Sequence, residues 1–170
     1  MEWRRFFRLA ALALVVWGLG MVWGMAYSVP LIGIGQNHRG SAFASTGRIF
    51  SANIRVLLGC WMGLVTCSAA RLATLLLNGL YLGFEVKSLA SQASPWKILR
   101  LVAPHGLLEI PGILIAGTIG LMGGPAARAL NHSGRAGLKA YARPVMGGVL
   151  ASTALILIAA VIEAWNIARP

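Results

Sequence analysis

Residues 99–122 read LRLVAPHGLLEIPGILIAGTIGLM, an apolar run long enough for a helix to cross a lipid bilayer, interrupted by Pro104, His105, Glu109 and Pro111. A spanning helix takes about 20 apolar residues at about 1.5 Å of rise each. A carboxylate inside such a run is costly in hydrocarbon unless it is protonated, paired or solvated, so its presence there marks a candidate site. His105 and Glu109 lie four residues apart, on one face of a helix, where their side chains can meet. Pro104 lacks an amide hydrogen and Pro111 frees a carbonyl one turn earlier, which predicts a helix interruption around Glu109. The plainer alternative is that Pro104 begins the helix and Pro111 only bends it.

The rest of the chain has the same character. Of 170 residues, 58% are hydrophobic and 11% charged, against roughly 25% charged in an average soluble domain. About five helical spans would use nearly all of it, so residues 1–170 read as a single integral membrane domain. The fifteen Lys and Arg face only four acids, for a formal charge of +11. In a soluble chain that excess would suggest nucleic acid. Here the basic residues sit at the margins of apolar runs, as topology signals and contacts for anionic lipid, and nucleic acid is excluded as a partner. Cys60 and Cys67, seven apart, read as small apolar core residues rather than a disulfide or a metal site.

The expected class is therefore all-α, a polytopic transmembrane helical bundle of about five spans, at 7–28, 54–70, 72–86, 99–122 and 144–164. Arg4, Arg5 and Arg8 before the first apolar run resemble a signal peptide, but the run is longer than an h-region, which predicts an uncleaved first span. Residues 41–53, with Arg48 beside Phe50, suggest an interfacial helix. Four or six spans are the alternatives, because residues 54–85 are apolar except for Arg71. One helix of that length would measure about 45 Å and hold Arg71 near mid-membrane, whereas two short spans put it at a turn. With five spans, eight of the fifteen basic residues fall on the N-terminal side, which favours a cytoplasmic N-terminus in the cell membrane.

Glycines recur at a spacing of four, as Gly20 with Gly24, Gly59 with Gly63, Gly79 with Gly83, and Gly120 with Gly124. Each pair lets a neighbouring backbone approach closely, and Gly117 falls on the same span. Internal packing is the favoured use, with a homo-oligomer contact as the alternative. Glu163, Asn78, Asn53 and Arg71 add polar groups in or beside the apolar runs, and together with His105 and Glu109 could form one polar cluster. Helix-to-helix bonds explain them as readily as chemistry does. His105 and Glu109 offer at most two metal ligands, and no HExxH, serine elbow, phosphate loop or dinucleotide fingerprint occurs. The expectation is no enzyme, no metal and no cofactor, an intramembrane hydrolase being the remotest reading.

The segment PHGLLEIPGI at 104–113, followed by IAGTIG at 115–120, resembles the signature of the stage II sporulation protein M family. The likeness extends back through Gly83, Asn78 with Gly79, Gly63, Gly59 and Arg55 to Asn53, and forward to Arg135 and AAVIE at 159–163. It covers about 49–164. Where the family commonly has two adjacent asparagines, this chain has Ala52 and Asn53, and its loop after Glu85 is compact. The resemblance implies a membrane protein of five or six spans. Its namesake anchors and assembles peptidoglycan-degrading proteins, which implies a non-enzymatic scaffold or complex subunit with membrane or envelope proteins as partners. His105, Glu109, Asn78 and Glu163 are the matching motif positions. The rival expectation, from the Glu/His pair alone, is a transporter or channel component.

Overall fold

The computed structural model describes residues 3–27, 42–66, 68–91 and 94–168. Every described element is helical: α1 (Trp3–Ala26), α2 (Ala42–Trp61), a 3₁₀ turn (Met62–Leu64), α3 (Ala69–Ala90), α4 (Pro95–Gly120) and α5 (Gly123–Ala168). Two stretches, Arg4–Ala26 and Gly106–Trp165, are long and apolar enough to cross a membrane. Large apolar side chains face outward along them, among them Leu14, Leu19 and Val22 of α1 and Met146, Leu150 and Val161 of α5. A water-soluble monomer rarely leaves so much contiguous apolar surface uncovered.

Glycine decides how the bundle closes. A Cβ placed on Gly20 would run into the backbone of Leu76, and one on Gly24 into that of Leu80; on Gly79 and Gly83 it would meet the backbones of Trp17 and Met21. The two pairs interdigitate, and residue numbers rise together along both helices, so α1 and α3 lie parallel with backbone against backbone. That contact occupies the glycine faces of α1 and α3 within the chain. At the far end of the pair Lys87 Nζ donates to the Ala26 carbonyl at 3.3 Å. The remaining helices alternate in direction: α2 and α4 run back toward the start of α1, and α5 packs antiparallel on α4, with Gly112 against Leu155 and Ile156 and Gly148 against Ile119. One core links all five helices through Ala13, Trp17, Leu57, Cys60, Leu75, Ile113, Ala116 and Ile156.

Several boundaries differ from those read off the sequence. Residues 42–53 continue without a break into the next apolar stretch as one helix, because Phe50, Ile54, Leu57 and Trp61 form a stripe at helical spacing that turns into the bundle. The break between α2 and α3 falls at 62–68, so Arg71 lies inside the first turn of α3 rather than at the turn itself. No Gly-Pro signal marks it. Ser68 takes a left-handed backbone (φ 84°) and its N–H donates to the Gly63 carbonyl at 2.8 Å. The Thr66 hydroxyl accepts the Ala70 N–H at 3.2 Å, supplying a partner for an amide of the new helix. Helix α4 starts at Pro95, where proline suits a first turn, and runs unbroken past Pro104 and Pro111, correcting the expected interruption. Each proline deletes a single intrahelical bond, and core packing of Ile110 before Pro111 and of Gly112, Ile113 and Ala116 after it holds the helix on both sides. The basic stretch 128–143 is helical on either side of Gly134, whose non-helical backbone (φ 56°, ψ −146°) kinks α5 and brings Gly137 against the Ala129 carbonyl.

Gly79→Ala is expected to force α1 off α3 at a cost of about 1–3 kcal/mol, as overpacking does. Thermal unfolding in mild detergent should show a lower midpoint. Gly18→Ala, where a Cβ meets nothing within 4 Å, should leave it unchanged or slightly raised.

Candidate functional site

One helix face after another borders the same space, each bringing at least one polar side chain to it. On α2 the positions 49, 52, 53 and 56, on α3 the positions 74, 77, 78, 81, 82 and 85, and on α4 the positions 106, 109, 110 and 113 are spaced as single helical faces. With Trp17 of α1 and Glu163 of α5 they enclose a half-open cavity of about 620 Å³. All five helices therefore contribute. Glu109 and Glu163 are half-buried, Glu85 is exposed, and the charges of Glu163 and Glu85 both act on Glu109. Arg55 is the cationic residue on the wall, and Asn53, Asn78, Thr74 and Tyr81 supply neutral polar groups.

Trp17, almost fully buried, donates its indole N–H to the Asn78 side-chain oxygen at 3.0 Å. This bond crosses the α1–α3 glycine contact and fixes the amide's orientation on the cavity wall. Thr74 donates its hydroxyl to the Ala70 carbonyl at 2.9 Å within its own helix. It also packs against Gly59, where no larger residue would leave room for it.

Four of the polar residues singled out in the sequence, Asn53, Asn78, Glu109 and Glu163, thus meet at one site. Arg71 does not join them. It is fully buried at the opposite end of α3 and donates from Nη1 to the Gly117 carbonyl at 2.7 Å. Ser68 Oγ donates to the Gly120 carbonyl at 3.5 Å beside it. The carbonyl end of a helix carries the negative end of its dipole, so Arg71, sharing the Gly117 carbonyl with the Leu121 N–H, and Ser68 act as a cap on the C-terminus of α4. Nε and Nη2 of Arg71 have no hydrogen-bond partner among the described residues. The side chains of Pro104 and His105 lie outside the described residues, and with them the expected contact between His105 and Glu109.

The glycines named in the sequence are placed as follows. Gly59 faces Thr74, Gly63 faces Arg71 and Gly120, Gly117 faces Leu75, and Gly120 faces the Cys60 carbonyl and Arg71. Gly124 is the exception. A Cβ there would meet nothing, and its neighbour Gly123 makes the close approach instead, against Gly63 and Leu64. The helix turns at 121–122, which swings the following position out of the contact.

Sequence reading did not assign Glu85, Arg55, Trp17, Thr74 or Tyr81 to the site. A signal existed for two of them: Thr74 and Glu85 stand four before and seven after Asn78, on the same helical face. Among the described residues no group of three or more His, Cys, Asp or Glu could hold a metal ion.

An all-helical chain with long apolar helices, a lipid-type exterior and a polar cavity inside the bundle is a membrane protein. It matches the family of stage II sporulation protein M over residues 6–166, nearly its whole length, and belongs to that family. No curated protein and no solved structure matches it.

A double-mutant cycle on Trp17→Phe and Asn78→Leu should give a coupling of about 0.6 kcal/mol, and no more than about 1.7, as for other hydrogen bonds between membrane helices. The readout is unfolding free energy in detergent. Additive effects would show that the indole and the amide do not bond.

Proposed function

We propose that the chain is a five-span protein of the cell membrane, with its N-terminus in the cytoplasm, that works as a non-enzymatic scaffold or subunit of a membrane complex. The observation that carries this reading is the folded-back basic segment of α5. Residues 123–133 and 135–143 meet at Gly134, are exposed at most positions, and mix Leu130 and Leu138 with Arg128, Arg135, Lys139 and Arg143. A surface of that kind suits a partner protein at the membrane face and the anionic lipid around it. Arg5 of α1 donates to the Tyr141 hydroxyl at 3.3 Å, so the N-terminal basic triplet stands at the same end. Concentrated positive charge at one end of a bundle is the usual mark of its cytoplasmic side. The family's namesake role supports a scaffold, and the polar residues away from the cavity are engaged in holding helices together, as Arg71 is.

A second reading, a transporter or channel component, is favoured by the cavity itself, since a purely structural polar cluster has no need of open volume among its carboxylates.

Two outcomes test the leading proposal. In a background of Cys60→Ala and Cys67→Ala, a membrane-impermeant maleimide should reach Lys139→Cys only from the cytoplasmic side and Ser94→Cys only from the opposite side. Labelling of both from one side would overturn the five-span arrangement. After cross-linking in membranes, tagged wild-type protein should retain specific membrane or envelope proteins through purification, and Leu130→Glu with Leu138→Glu should release them, whereas Glu109→Gln should not. Recovery of no specific partner would refute the scaffold.

A further inference from the structure

The cavity holds an uneven share of the chain's charge. Only four acidic residues occur among 170, against fifteen basic ones, and three of the four, Glu85, Glu109 and Glu163, line this one space. They come from three different helices, so no local sequence effect explains their meeting. Among the described residues that line it Arg55 is the cation, and Glu109 with Glu163 outnumber it in a volume of about 620 Å³. Carboxylates in a low-dielectric surrounding are costly unless a positive group offsets them.

The volume lies in the range that takes a small molecule, about 300–1,000 Å³. A bare metal ion is a poor match, because it needs several ligand oxygens converging within about 2.6 Å of one point, and no such grouping of three occurs among the described residues. An organic cation fits the walls better. Its charge can lie between separated carboxylates, its carbon frame can rest on Leu77, Leu82 and Ile110, and Trp17 and Tyr81 on the wall are the residue types that attract an ammonium or guanidinium group. Asn78 is held by Trp17, so that part of the wall is already ordered before a ligand arrives.

We propose that this cavity is a binding site for a small organic cation of the ammonium or guanidinium type, with half-buried Glu109 as its anchor and exposed Glu85 at its mouth. The site rests on the cavity and holds whether the cation is retained by a complex subunit or carried across the membrane.

The test uses the full chain in lipid nanodiscs and calorimetric titration with methylguanidinium and with 1,4-diaminobutane, against sodium at equal ionic strength. At least one organic cation should bind saturably where sodium does not. Glu109→Gln and Glu163→Gln should each weaken it about tenfold, as expected when a charge-assisted contact is lost. Arg55→Gln should tighten it, because the competing positive charge is removed, an effect that loss of structure cannot mimic. If Glu109→Gln does not elute as a monodisperse species, the Glu163→Gln and Arg55→Gln arms decide. The proposal is overturned by absence of saturable binding, by binding that sodium reproduces, or by affinities that none of these substitutions changes. Binding without uptake into vesicles supports the site and refutes the transport reading.

Discussion

Backbone contact between α1 and α3 requires the absence of side chains at four positions, Gly20, Gly24, Gly79 and Gly83. Between helices in lipid there is little hydrophobic drive to associate, so close van der Waals approach and the few available hydrogen bonds must hold them. At this distance Trp17 reaches Asn78, and α3 is turned so that Thr74, Asn78, Tyr81 and Glu85 look toward α2 and α4. The cavity is what remains on the side of α3 that its glycines do not use.

Polar residues in this bundle have two separate employments. At one end Arg71, with Ser68, meets carbonyls of the last turn of α4, and Gly63, Gly117 and Gly120 clear the space around it. Toward the other end Glu85, Glu109 and Glu163 line the cavity. A buried guanidinium on a helix terminus is explained by the fold it completes.

Apolar runs make any polar residue conspicuous, which is why Glu109, Asn78, Asn53 and Glu163 could be picked out from sequence and why the membrane class was plain. Glu85 and Arg55 escaped because charge at the margin of an apolar run is ordinary. Trp17 and Tyr81 look like the aromatic residues of any membrane helix, and only the helix pairing brings them to the site. The turn before α3 was misplaced because hydroxyl side chains and a left-handed serine did the work that glycine and proline usually do. Pro104 and Pro111 misled in the opposite direction: a strong local breaker is overridden where core packing continues the helix past it. The merging of 42–53 into α2 likewise follows from a stripe whose partner helices are distant in sequence.

Because α1 and α3 are parallel, they cannot pair as a simple hairpin emerging from the ribosome. The chain must cross back through α2 before the second glycine pair is delivered beside the first. During synthesis the glycine face of α1 therefore lacks its α3 partner until residues as far along as Phe84 have been made. The α1–α3 interlock is a late event in assembly, and so is the cavity. A chain truncated before α3 completes would present its acceptor groove to other helices, making quality control of this protein a matter of whether that groove has been filled.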